Sequence, residues 1–159
     1  MHKQYNLGCY YAEGIHGFSQ DMDKVFELWH RAGELGCAES YHNIGTVYLN
    51  GDGTEKDMKK AVHYWKLAAV GGDEKARYNL GCFEEETGNI VRALNHHMIA
   101  VGFGHSHSLK QIREFYMNGY ATKDDYAKAL RAYQEYLDGI KSPQRDEAAA
   151  FNREKYRYY

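Results

Sequence analysis

Cysteine is scarce in this chain: three residues in 159, an odd number, with no C-x-x-C pair among them. That speaks against a disulfide framework and points to a reduced, intracellular protein. An excess of one charge is missing too. Twenty Lys and Arg meet 22 Asp and Glu, a formal net charge of −2 with both signs mixed along the chain. Nucleic acid therefore finds no basic footprint, and an anionic membrane finds no polybasic patch. No apolar run approaches the length of a membrane span. The opening MHKQYNLGCYY lacks the basic start and apolar core of a signal peptide. The expected location is intracellular, in the cytoplasm. What remains, 43% hydrophobic and 26% charged residues, is the composition of a folded, soluble protein the size of one domain.

What is present is repetition. NLGC stands at residues 6–9 and again at 79–82, with NIGT between them at 43–46. The glycines of the phrase, Gly8, Gly45 and Gly81, are 37 and 36 residues apart. Other landmarks keep step: Gly14 and Gly51, Asp21 and Asp57, Trp29 and Trp65, Ala32-Gly33 and Ala68-Ala69, Gly36 and Gly72. A third copy has a shorter loop and continues through Ala93, His97, Ala100, Val101 and Gly104. A fourth is degenerate, with Arg113 in the glycine slot, then Gly119, Asp125, Ala129 and Tyr133. Coordinated landmarks at one period are the mark of a repeat architecture. The repeats span approximately residues 3–36, 37–72, 73–104 and 105–140.

Each copy reads as two antiparallel helices. AESYHNIGTVYLN (38–50) contains no breaker but its own glycine, and its apolar residues recur at helical spacing. Gly51 suits a left-handed C-cap, GDGTEK forms the turn, and Asp57 caps the next helix. Ala61, Trp65, Ala68 and Ala69 fall on one face of that helix. A glycine inside a helix costs about 1 kcal/mol against alanine. Close contact recovers it: the bare backbone at Gly45 lets the second helix press its Trp65 face inward. After the fourth copy, Ser142 and Pro143 have the chemistry of a helix start. A C-terminal capping helix is expected at 142–157, docking through Ala148, Ala149, Phe151 and Tyr156.

These residues resemble the Sel-1-like repeat family, relatives of tetratricopeptide repeats. The family pattern is a small residue, YNLG, an aromatic, G-x-G, Asp, KA, an aromatic, AA and Gly. The stretch YHNIGTVYLNGDGTEKDMKKAVHYWKLAAVGG follows it nearly throughout, and the resemblance covers about residues 3–140. It implies an all-α, right-handed α-solenoid whose first helices line a concave face, and a role as adaptor or scaffold for other proteins. Copy three departs from the pattern at His97, copy four at Arg113 and at Tyr136-Leu137 in place of the small pair. The disulfide-bearing cysteine pattern of some family members is absent.

Candidate chemistry must be weighed against packing. His96, His97, His105 and His107 are close in sequence, but their spacing repeats no zinc pattern, and His97 occupies the aromatic core slot. NGDGTEKD (50–57) lacks the glutamate a calcium loop needs, since Ala61 stands there. Cys9 and Cys82 fill equivalent slots two repeats apart, too far to pair. Nothing supports a cysteine nucleophile. Tyr11, Tyr48 and Tyr116 each follow the glycine slot by three residues, and such regularity favours packing. No catalytic residue, metal or cofactor is expected.

The groove remains. By the resemblance, five slots of each first helix face the concave side. The slot two before the glycine holds Asn6, Asn43, Asn79 and Gln111, an amide ladder; the slot before that holds Tyr5, His42, Tyr78 and Lys110. Thr46 and Cys82 follow the glycine directly, while Asn50 and Glu86 lie five residues on. Carboxamides in register can hydrogen-bond the backbone of an extended peptide whatever its sequence. Equally, the amides can bond the backbone of a neighbouring helix and hold the repeats together. The expected partner is a protein or extended peptide, with neither nucleic acid nor membrane, and weak self-association through an uncapped N-terminal edge. A structural fragment of a longer repeat protein, active elsewhere, is the alternative; a histidine metal site is the remaining one.

Overall fold

The structure, a computed structural model, describes residues 2–155, and side chains for residues 2–140. The described residues form eight helices: α1 His2–Glu13, α2 Met22–Glu34, α3 Ala38–Asn50, α4 Met58–Val70, α5 Glu74–Glu86, α6 Ile90–Gly102, α7 Ser106–Met117 and α8 Lys123–Lys155. They follow one another as sequential pairs, an all-α architecture. Their contacts divide them into two compact units, residues 1–93 and 94–159, with the boundary inside α6.

In the first unit the helix ends obey the expected chemistry. Asp21 accepts from the Lys24 backbone N–H at 3.1 Å and Asp57 from that of Lys60 at 3.0 Å, each satisfying a first-turn donor. Asp73 does the same for Ala76 at 2.6 Å. Gly51 closes α3 in the left-handed conformation, φ +77°, with its N–H on Val47 O at 2.8 Å.

The glycine of the repeated phrase is a notch for tryptophan. A Cβ at Gly8 would lie 2.5 Å from Trp29 Cδ1, and one at Gly45 would lie 2.5 Å from Trp65 Cδ1. Both indoles are buried, Trp29 5% and Trp65 3% exposed. Burying a ring of about 200 Å² is worth about 5 kcal/mol, several times the helix cost of one glycine. A second notch joins successive pairs: a Cβ at Gly33 on α2 would meet the Tyr41 ring of α3 at 2.5 Å. Around the notches lie Val25, Ile44 and Val47, then Ala61, Ala68, Ala69, Ala76 and Leu80. Small residues dominate because the helices approach closely.

The repeating tyrosines pack, as their spacing predicts. Tyr48 stacks on Tyr64 of α4 at 5.7 Å and lies 5.4 Å from Phe26 of α2. Lys24 Nζ sits 4.9 Å from the Tyr11 ring centre, and Lys60 Nζ stands at the same 4.9 Å from that of Tyr48.

In the second unit, Val101, Ile112 and Ala129 form the core, with Leu94, Met98 and Tyr133 packed against it. Tyr116 stacks on Tyr126 at 5.5 Å. Tyr136, which replaces a small residue of the pattern, has its room at Gly104, where any Cβ would collide with the tyrosine ring. Helix α8 begins before Asp125, unlike α2 and α4, which start directly after their aspartates. Asp125 accepts from the Thr122 N–H at 2.9 Å while Thr122 Oγ1 accepts from the Asp125 N–H at 3.1 Å, a reciprocal capping box.

One expectation is corrected here. The Ser142-Pro143 pair starts no new helix, because α8 runs unbroken from Lys123 to Lys155. A single proline removes one hydrogen bond, whereas strong helix formers such as Ala148, Ala149 and Ala150 favour continuation. The expected docking of Ala148, Ala149, Phe151 and Tyr156 lies outside the described side chains.

Candidate functional site

The amide ladder is in register along α1, α3 and α5 of the first unit. Asn43 Nδ2 donates to Tyr5 Oη at 3.3 Å, and Asn79 Nδ2 faces His42 Nε2 at 3.4 Å. Each amide thus reaches the preceding first helix, at the slot just before its own. The partner is a side chain rather than the backbone, and each bond joins one repeat to the next. One N–H of each carboxamide is engaged; the Oδ1 and the second N–H make no other bond among the described residues.

Burial, and a hydrogen bond to Glu39, hold the Tyr5 phenol well above its ordinary pKa. Tyr5 therefore donates its proton to Glu39 while accepting from Asn43, and Glu39 and Asn43 lie one turn apart on α3. Where Asn79 donates to His42 Nε2, the imidazole proton resides on Nδ1, which is buried and has no acceptor.

Other predicted residues behave differently. Asn50 turns its amide onto Asp52 Oδ2 at 3.1 Å, so it serves the loop after α3. Thr46 donates its hydroxyl to His42 O at 3.1 Å. Asn6 is exposed. Tyr78 is held above its ordinary pKa first by a hydrogen bond with Cys82 and then by burial. Lys110 is exposed and Gln111 half-buried on α7, in the second unit.

Asn79, Cys82 and Glu86 do come together, around a recess of about 100 Å³ that Leu49, Met58, Trp65 and Phe83 complete. Leu49, Met58 and Phe83 were not singled out from sequence, although Leu49 occupies the slot four after the glycine. Trp65 forms part of the wall, and its Nε1–H is buried without an acceptor. The first repeat differs: there Trp29 Nε1 donates to Tyr5 O at 3.3 Å. In the second repeat the equivalent carbonyl, His42 O, is the one that Thr46 occupies.

The histidines and cysteines are built into the packing. His97 is 0% exposed, 5.8 Å from the Phe115 ring, with Nδ1 3.3 Å from Ser108 Oγ. Burial first, then the neighbouring His96 and His105, push its pKa down to about 4. His105 caps α7, its Nδ1 accepting from the Ser108 N–H at 3.2 Å. Cys9, Cys37 and Cys82 are free thiols, and burial pushes Cys9 and Cys82 up, away from the thiolate that nucleophilic chemistry needs.

Helix pairs notched by glycine and pinned by a bulky side chain, with a linear polar ladder on their first helices, define an all-α helical-repeat protein. Residues 4–37 and 38–73 match the family model of the Sel1 repeat. A Sel1 repeat protein from Oxalobacter formigenes has the same fold, TM-score 0.71 and 27% identity, over 86% of this chain and 57% of that one. The chain is a Sel1 repeat protein.

Among curated relatives, the ERAD-associated E3 ubiquitin-protein ligase component HRD3B of Arabidopsis thaliana is 35% identical over 45% of this chain and 12% of its own length. A cytochrome c oxidase assembly factor 7 homolog of Drosophila melanogaster is 37% identical over 43% of this chain and 26% of its own. The chain therefore matches only a minor part of each. Among the described residues, no helix is long and apolar enough to cross a membrane.

Proposed function

We propose that this protein is a non-enzymatic scaffold or adaptor that holds an extended protein segment along the first-helix face of its repeats. The observation that carries this is the half-used amide ladder. Asn43 and Asn79 are aligned by Tyr5 and His42, yet each keeps a donor and an acceptor for a peptide backbone. The relatives fit, since one is named as a ligase component and another as an assembly factor. Free cysteines support a reducing, intracellular compartment such as the cytoplasm.

Replacing both Asn43 and Asn79 with alanine tests the reading. Each lost hydrogen bond is worth about 0.5–1.5 kcal/mol net, so partner binding should weaken about five- to 150-fold. Lys66→Ala, on the exposed side of α4, is the control and leaves binding unchanged. A folded double variant that captures the same partners as the parent refutes the face.

Helix α1 favours a second, weaker contact. It buries only Gly8, whereas α3 buries Ser40, Ile44, Gly45 and Val47. We infer weak self-association through this N-terminal edge; a strict monomer in sedimentation at high concentration contradicts it.

A further inference from the structure

Two departures from the repeat pattern meet on one serine of the second unit. His97 of α6 stands where the first two copies carry tryptophan, and its Nδ1 lies 3.3 Å from Ser108 Oγ. His105, the N-cap of α7, places its own Nδ1 3.1 Å from the same oxygen. It also accepts from the Ser108 backbone N–H at 3.2 Å. Because Nδ1 of His105 accepts that bond, it carries no proton, and the ring proton is on Nε2. One direction of bonding then satisfies both contacts. His97 Nδ1–H donates to Ser108 Oγ, and the Ser108 hydroxyl donates to His105 Nδ1. Ser108 and His97 are both fully buried.

The chemistry of this cap sets α7 apart. Helix α5 is capped by the Asp73 carboxylate, which accepts from the Ala76 N–H at 2.6 Å, and α3 has no side-chain cap at Cys37. A carboxylate is an acceptor throughout the range from about pH 5 to 8, whereas an imidazole nitrogen accepts only while it is neutral. A proton on His105 Nδ1 takes the acceptor from the Ser108 N–H. It also sets a positive charge at the helix end whose dipole is already positive. The titratable groups around the cluster are His96 and His97 of α6, His107 of α7 with its ring 5.7 Å from that of His105, and Tyr136 of α8 beside Gly104. The histidines among them can only add positive charge, and the tyrosine is neutral in this range.

We propose that His105 is a proton-operated latch: neutral, it caps α7 and ties its first turn to His97 through Ser108; protonated, it releases that turn from α6. Opening admits water to His97, which burial otherwise keeps neutral down to about pH 4. A second proton therefore follows the first and steepens the release. The latch does not depend on the binding face proposed above.

Amide exchange of Ser108 and Leu109, followed by NMR from about pH 8 to 5 and corrected for intrinsic rates, tests the latch. Protection of both should fall at least about fivefold on acidification, the size of a lost cap. The Ala76 and Arg77 amides, held by Asp73, are the control and should change less than about twofold. His105→Asp, whose carboxylate accepts across this range, should abolish the fall, and His105→Asn serves in its place should H105D not fold. Long-range ¹H–¹⁵N spectra of the parent at the alkaline end should show His105 protonated at Nε2 and His97 at Nδ1. Ser108 protection that ignores pH, a fall that persists in the folded variant, or a His105 protonated at Nδ1 in those spectra overturns the latch.

Discussion

The first and second repeats match almost landmark for landmark, yet the first bonds its tryptophan N–H and the second leaves that buried donor without an acceptor. Gly8 and Gly45 hold Trp29 and Trp65 at the same distance, and Asp21 and Asp57 cap α2 and α4 alike. The lysines over Tyr11 and Tyr48 match to the tenth of an ångström. The divergence sits directly after the glycine. Cys9 leaves Tyr5 O to the Trp29 N–H, whereas Thr46 takes His42 O for itself. Identity between repeats therefore reports packing, and a single polar difference decides whether the buried indole N–H finds an acceptor.

His97 extends the comparison to a slot where a histidine replaces the tryptophan, and it should give the largest effect. Folded His97 stays neutral down to about pH 4, whereas in the unfolded chain it protonates near 6.5. The unfolded state binds the extra proton between those values, so stability rises with pH across that window. The contribution, about 3 kcal/mol, is complete above pH 6.5 and is lost as pH falls toward 4. Urea melts across this range should show it, and His97→Phe should flatten the curve. An unchanged slope in the variant removes His97 as the cause.

Next in size are the notches. Gly8→Leu and Gly45→Leu should each destabilise by about 2–3 kcal/mol, the two costs agreeing within error, because each side chain would meet an indole. A melt within error of the parent refutes the notch. The caps come after: Asp21→Ala and Asp57→Ala should each cost about 1 kcal/mol in denaturant titrations, since each frees one first-turn N–H. Smallest are Lys24→Met and Lys60→Met, about 0.5–1 kcal/mol apiece for the lost ring contact. Unequal costs within any of these pairs would break the equivalence of the two repeats.

Sequence revealed what depends on periodicity and backbone chemistry. The period located the four helix pairs, the glycines located the tryptophan contacts, and the spacing of Tyr11, Tyr48 and Tyr116 gave their packing role. Competition for a lone pair was not legible. Nothing in the pattern says that Asn50 bonds Asp52 or that Thr46 bonds His42 O, because tenths of an ångström decide such choices. The His30–Tyr64 hydrogen bond, 3.0 Å between α2 and α4, was hidden for the same reason, standing beside two tryptophans that carried the stronger pattern. At Ser142-Pro143 local capping chemistry pointed to a helix start, and the helix-forming residues on either side overrode it.

The unbonded Trp65 N–H is the sharpest difference between the two repeats, and the indole N–H resonances of the free protein test it directly. Temperature coefficients of the two signals distinguish a bonded N–H from an unbonded one. Trp29 should show the small coefficient of a hydrogen-bonded donor and Trp65 the larger one. Thr46→Cys, which recreates the first repeat's arrangement at His42 O, should bring Trp65 toward Trp29. Two equal coefficients in the parent, unaltered by Thr46→Cys, would contradict the account.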